Sequence, residues 1–207
     1  ICTLLLALCL TLGLLPAAAQ AAGDGSGTFD TVRWTLDADG GLTVSGTGDL
    51  PDSASAGRTD IVTVTFTGQV ARIGRSAFAG CTQLRRVDGF GAVTCVMSQA
   101  FAGCTALTEL AVPGTVTEIG TGAFSACTGL TAVTLAPGVR SLGAYAFAAC
   151  TALRRIDLPD GMTLLGSGLF SGCTALTELP LPDDVAWVEP RLCENCTALQ
   201  NIVLPAA

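Results

Sequence analysis

The sequence repeats itself with a step of 23 residues. A column of leucines follows the cysteines by three residues, and a column of phenylalanines precedes the first five of them by three. One 23-residue unit cannot bury its apolar face alone, whereas stacked units bury a continuous core. The period therefore predicts a repeat solenoid, mainly β, of 23-residue coils. The cysteine column comprises Cys81, Cys104, Cys127, Cys150, Cys173 and Cys196.

Each coil is predicted to contain a short strand at "LTELAV" or its equivalent. Prolines end this strand, and a glycine such as Gly120, Gly143 or Gly166 permits the tight corner that follows. No coil has room for a long amphipathic helix. The "AF" segment is long enough for about one helical or 3-10 turn.

These columns resemble the BspA-like leucine-rich repeats of bacterial surface proteins. The stretch "IGTGAFSACTGLTAVTLAPGVRSLG", residues 119–143, shows the pattern most clearly. The resemblance covers residues 61–207 and implies a leucine-rich-repeat stack with a role in adhesion to host or neighbouring-cell proteins. The last coil departs from the pattern, because Cys193 stands in the phenylalanine column and Glu189-Pro190 replaces the glycine corner.

Three parts are predicted along the chain. Residues 1–22 carry no charge and read as a signal peptide clipped at its start, with an apolar run and an A-x-A site at Ala19-Gln20-Ala21; a retained membrane anchor is the alternative. Residues 23–60 are expected to form a β-hairpin cap, with strands at 31–36 and 42–45, followed by a polar connector at 51–60. Residues 61–207 form the solenoid.

The cysteine column has three interpretations. Stacked coils place column neighbours about 4.8 Å apart, so a ladder cannot bring four sulfurs to within about 2.3 Å of one zinc ion. Disulfides within the ladder would be strained. We therefore expect a structural column of small, buried residues. "CENC" is the exception, since Cys193 and Cys196 could form a disulfide that staples the last coil.

Composition excludes several classes of function. Ten arginines and no lysine stand against 17 acidic residues, a net charge of −7, which argues against a nucleic-acid partner. There is no histidine, and therefore no Ser-His-Asp triad. With no metal-ligand cluster or phosphate loop either, we expect neither a cofactor nor an enzyme.

The residues between the inward columns of each strand are predicted to point outward. "RRVD" at 85–88 returns as "RRID" at 154–157, three coils later. Arg86 should lie beside Glu109, and Arg155 beside Glu178, so the face could simply neutralise itself. The alternative is a partner-binding surface, because arginine is favoured at interfaces. The candidate contacts are Arg85, Arg86, Asp88, Glu109, Arg154, Arg155, Asp157, Glu178, Trp187 and Phe90.

Two non-enzymatic functions therefore remain open. The first is a secreted or surface-displayed module that binds an extracellular or cell-surface protein. The second is a structural spacer of the cell envelope without a specific ligand. Because "NIVLPAA" ends soon after a strand without a polar capping unit, we also expect the protein to continue or to self-associate at this edge. No membrane contact is expected beyond the export signal.

Overall fold

Two short strands per coil follow from the alternation of apolar and polar residues in each repeat. The computed structural model describes residues 25–185 and 187–203, so the predicted signal peptide at 1–22 lies outside the described residues. The strands are β1 (Gly25–Phe29), β2 (Val32–Leu36), β3 (Gly41–Leu50), β4 (Thr63–Phe66), β5 (Gln69–Ile73), β6 (Arg86–Asp88), β7 (Cys95–Val96), β8 (Glu109–Val112), β9 (Glu118–Ile119), β10 (Ala132–Leu135), β11 (Ser141–Leu142), β12 (Arg155–Asp157), β13 (Leu164–Leu165), β14 (Glu178–Pro180) and β15 (Asn201–Val203).

Equivalent strands of successive coils pair in parallel, as a solenoid requires. One side of the stack is the sheet order β3-β5-β7-β9-β11-β13, in which Ser141 pairs with Glu118 before it and with Leu164 after it. The other side consists of the shorter ladders β4-β6, β8-β10-β12 and β14-β15. The predicted β solenoid of 23-residue coils is confirmed.

The corner at the "AF" segment differs from the prediction of a helical turn. Within the described ranges it forms turns, and no helix is present. The reason is that its amides bond to the next coil: Phe101 N donates to Ala123 O at 2.7 Å, and Phe124 N to Ala146 O at 2.8 Å. Ala126 also has a φ of 56°, a left-handed conformation that a right-handed helix cannot continue through.

The predicted β-hairpin is present and contains more than two strands. β1 adds antiparallel to β2, and β2 to β3. The turn between β2 and β3 closes where the Asp37 carboxylate accepts Gly41 N–H at 2.7 Å, and Gly40 adopts a φ of 82° that favours glycine.

The stack begins one coil earlier than predicted. β3 pairs in parallel with both β4 and β5, so it is a solenoid strand as well as a hairpin strand. The polar connector predicted at 51–60 is wrong, because this segment forms the first coil's corner. Ser53 N donates to Arg75 O at 2.8 Å and Ser55 N to Ala77 O at 2.7 Å.

The core is a set of columns that run the length of the stack. The phenylalanine rings of successive coils stack nearly parallel, with centroids 5.1 to 6.1 Å apart from Phe78 to Phe170. The leucine column is fully buried from Leu84 to Leu176. This continuous packing makes a rigid scaffold, which fixes the positions of the outward side chains.

Candidate partner-binding surfaces

The cysteine column lies inside the stack, and its thiols donate hydrogen bonds to backbone carbonyl oxygens. Each thiol donates to the carbonyl oxygen 26 residues earlier, at 3.0 to 3.2 Å; Cys104 to Phe78 O and Cys127 to Phe101 O are examples. Burial raises the pKa of Cys127 to about 12. A protonated, buried thiol is neither a nucleophile nor a metal ligand, so the buried positions of the column are structural.

The thiols of Cys193, in the phenylalanine column, and Cys196, at the end of the cysteine column, are partly exposed, unlike the buried thiols of the earlier coils. Both are free in this structure, so the predicted disulfide is not formed here. A hydrogen bond from Cys193 lowers the pKa of Cys196 to about 7, against the opposing effect of burial. The same hydrogen bond and burial raise the pKa of Cys193. One of the two thiols is therefore suited to ionise near neutral pH.

The predicted charged face is exposed, but its ion pairs lie within strands more than between them. Arg86 binds Asp88 at 2.7 Å, and Arg155 binds Asp157 at 2.9 Å. Arg155 also approaches Glu178 of the next coil at 3.9 Å. These pairs are exposed to solvent, so they contribute little to stability.

Arg86 and Glu109 form no ion pair in the part of the chain that the structure describes, although β6 and β8 are in contact as predicted neighbours should be. The guanidinium of Arg86 is engaged by Asp88, two residues along its own strand. In addition β6 pairs with β4 and does not continue the ladder to β8. Arg85 and Arg154, by contrast, are exposed, and within the described ranges neither forms an ion pair.

The two aromatic candidates differ in exposure. The prediction that Phe90 contacts a partner is wrong, because its ring is buried and stacks on Phe66 with centroids 6.3 Å apart. Trp187 is 74% exposed. It lies away from the charged face, in the outward column of the other sheet, one step after Leu164.

Trp187 lines a groove that the sequence reasoning missed. The groove has a volume of about 630 Å³ and lies between residues 161–165 and the following coil, which contributes Asp184, Val185, Trp187 and Glu189. The sequence did carry a signal: Leu164 and Trp187 are large apolar residues on consecutive steps of an outward column that is otherwise small, polar or charged, apart from buried Cys95.

A smaller site lies between the hairpin cap and the first corner. Arg58 makes two hydrogen bonds to the carboxylate of Asp60, at 2.6 and 2.9 Å, and its guanidinium lies 5.7 Å from the centre of the Trp34 ring. Both charged side chains are largely buried. The hydrogen bonds from Arg58 lower the pKa of Asp60. This arrangement fastens the cap to the stack.

Among residues 25–185 and 187–203, no cluster of three or more cysteine and acidic side chains is arranged to hold a metal ion. In the same residues there is no helix of the length and apolarity needed to cross a membrane.

Comparison with known proteins identifies the repeat. A family model described as "BspA type Leucine rich repeat region" matches residues 49–147 and 94–207, in six copies. The first match begins inside β3, in agreement with the earlier start of the stack. No curated protein sequence matches the chain.

Two solved structures are similar in fold. A leucine-rich repeat protein from Bacteroides ovatus ATCC 8483 has a TM-score of 0.72 and 24% identity, covering 90% of this chain and 53% of its own. The Leucine Rich Repeat protein of T. pallidum (TpLRR) has a TM-score of 0.50 and 25% identity, covering 72% of this chain and 90% of its own. The chain therefore spans about half the length of the Bacteroides ovatus protein.

Proposed function

Because the chain belongs to the BspA-type leucine-rich repeat family, we propose that it is a protein-binding module that acts outside the cell or on its surface. The observation that carries the proposal is the charged face of β6, β8, β10, β12 and β14 on a rigid stack. Its outward residues include Arg85, Arg86, Arg154 and Arg155, four of the ten arginines of the chain. The expected signal peptide at 1–22 supports export.

The chemistry of this face favours a protein partner. Arginine stems offer apolar contact area, and their guanidinium groups bind carboxylates with two hydrogen bonds. Arg85 and Arg154 are exposed and have no ion-pair partner among the described residues, so they can bind a partner's carboxylates without breaking a pair. Arg86 and Arg155 are held in place by Asp88 and Asp157. The partner that fits is an extracellular or cell-surface protein with an acidic patch, consistent with adhesion.

A binding screen tests this proposal. The purified chain is passed over immobilised extracellular-matrix and plasma proteins, alongside the variant Arg86→Glu/Arg155→Glu. The matched control is Arg72→Glu/Arg75→Glu, which makes the same change in charge at exposed positions in and just after β5, on the other sheet. We expect saturable binding that the first variant loses and the control retains.

Two other results would overturn the proposal. Equal loss in both double variants would mean that net charge, and not this face, drives binding. Absence of saturable binding to every immobilised protein would favour the alternative function, a spacer of the cell envelope. The specific observation behind that alternative is the neutralisation of Arg86 and Arg155 by acids on their own strands.

An enzymatic role is not proposed. Leucine-rich repeat proteins of this family generally serve as non-enzymatic scaffolds. The chain has no histidine, and burial raises the pKa of the column thiols Cys81 and Cys127 to about 12. We therefore propose the outward face, and not a catalytic centre, as the functional site.

A further inference from the structure

The stack opens on one side after β13. In the preceding coils the corner glycine donates to the coil before it: Gly143 N to Ile119 O at 2.7 Å, and Gly166 N to Leu142 O at 2.8 Å. Glu189 occupies the next position of this column, and within the described residues its amide makes no such bond to Leu165 O. Residues 187–189 form no strand, so the outer edge of β13 has no neighbour in the described chain.

The sequence explains this opening. The glycine corner is tightly stacked, since a Cβ at Gly143 would lie 2.5 Å from Thr121 N. Met97 bears a Cβ in the same column and still donates to Ile73 O at 2.9 Å, so a side chain alone does not open the coil. Glu189 differs because Pro190 follows it, and a proline restricts the conformation of the residue before it.

The opening exposes apolar surface that earlier coils bury. Val188 is 46% exposed, although its column partners from Ile73 to Leu142 are fully buried. Leu164 is 47% exposed and Trp187 74%. Leu164 and Trp187, with Met162 and Leu165 buried beneath them, form the apolar wall and floor of the groove.

The charge of the groove indicates the chemistry of its occupant. Asp184 and Glu189 are the charged side chains among its described lining residues, and both are acidic. Neither forms an ion pair within the part of the chain that the structure describes. The Asp184 carboxylate accepts Gly161 N–H at 2.8 Å, which fixes it at the edge of the groove. The complementary occupant is cationic.

We propose that this groove binds an extended peptide segment of a partner protein, with alternating apolar and basic residues, as an added strand on β13. The peptide's amides would bond to the free edge at Leu165, as Gly166 N bonds to Leu142 O. An apolar side chain would occupy the groove against Trp187, and a lysine or arginine would pair with Asp184 or Glu189. The inference rests on the proposed protein-binding role but concerns a different sheet from the charged face.

The probe is the capped peptide acetyl-Lys-Val-Leu-Val-Lys-Val-Lys-amide. Binding is followed by tryptophan fluorescence in the Trp34→Phe variant, where Trp187 is the remaining tryptophan of the sequence, and by calorimetry in the unsubstituted chain. We expect saturable binding and a blue shift of Trp187 emission. Two control peptides, one with glutamate for lysine and one with alternate backbone amides N-methylated, should each bind at least about tenfold more weakly.

A variant that closes the groove distinguishes docking from non-specific adhesion. Glu189→Gly/Pro190→Ser restores the Gly-Ser sequence present at Gly166-Ser167. It should raise the melting temperature and abolish peptide binding, whereas Arg86→Glu/Arg155→Glu should retain it. The two proposals can therefore fail separately. Peptide binding can be absent while the charged face still binds its partner, and partner binding can be absent while the groove still binds the peptide.

Four results would overturn the inference. They are no binding of the lysine peptide at millimolar concentration, equal binding of the N-methylated peptide, undiminished binding by the closed variant, and loss of binding in the arginine variant. A fifth would replace the occupant by a second copy of this chain: a dimer of the unsubstituted protein that becomes a monomer in the closed variant.

Discussion

The phenylalanine ladder should carry a large part of the stability of the stack, and Phe124→Ala tests this. Phe124 is fully buried between Phe101 and Phe147, with ring centroids at 5.2 and 5.5 Å and interplanar angles of 2° and 7°. Truncating a buried phenylalanine to alanine costs about 3 to 5 kcal/mol. Because both neighbouring rings also lose a stacking partner, we expect a loss near the upper end, about 4 to 5 kcal/mol.

The matched variant is Phe170→Ala at the end of the ladder. Phe170 is also fully buried, but it stacks on one ring, that of Phe147 at 6.1 Å, and Cys193 stands at the next position of the column. We expect a smaller loss, about 3 kcal/mol.

Urea unfolding followed by circular dichroism measures both losses. Coils contact only their neighbours, so Phe124→Ala should also broaden or split the transition. A loss below about 1 kcal/mol for Phe124→Ala, or a larger loss for Phe170→Ala, would refute the reasoning.

Three further predictions concern the corner, the terminal thiols and the cap. Gly143→Ala should destabilise the stack by about 1 to 3 kcal/mol in the same urea assay, because its Cβ would lie 2.5 Å from a backbone nitrogen of the preceding coil. Iodoacetamide should modify Cys193 and Cys196 of the native chain before the buried cysteine column, at a rate that rises through about pH 7. A small aromatic disulfide should join the same two cysteines by thiol–disulfide exchange. Mass spectrometry that finds the buried column thiols modified first would contradict this prediction. Asp60→Asn should cost about 1.5 to 3 kcal/mol at pH 7, since it breaks the ion pair with Arg58. The pKa of Asp60 is lowered in the folded chain. The difference in the free energy of unfolding between the unsubstituted protein and Asp60→Asn is therefore fully present above the unfolded pKa of about 4, and it should shrink as the pH falls below that value. A free-energy difference that does not change with pH would contradict this prediction.

The 23-residue step made the inward columns predictable, because a buried position must carry a similar side chain in every coil. The first coil was not predicted, for the same reason. It has Ser55 in the phenylalanine column and Arg58 in the cysteine column, so the step does not reveal it. Its place follows from the strand pairing of β3, which also belongs to the hairpin.

The outward face was harder to predict than the core. Exposed side chains choose among several neighbours of similar energy, so Arg86 binds Asp88 on its own strand and not Glu109 of the next coil. Phe90 was predicted to be exposed and is buried. The loop after β6 folds inward, and the ring of Phe90 packs in the core on Phe66. The groove depends on one local sequence, Glu189-Pro190, whose effect on strand pairing requires the neighbouring coil to be seen.

Hydrogen–deuterium exchange resolved to single amides is the most direct test of the central claim, that like coils stack by inter-coil hydrogen bonds until the chain opens at Glu189. The account predicts strong protection at Gly120, Gly143 and Gly166, each of which donates to the coil before it at 2.7 to 2.8 Å. It predicts fast exchange at Glu189. Protection of Glu189 equal to that of Gly166 would contradict the open edge, and fast exchange at all four positions would contradict the stack itself.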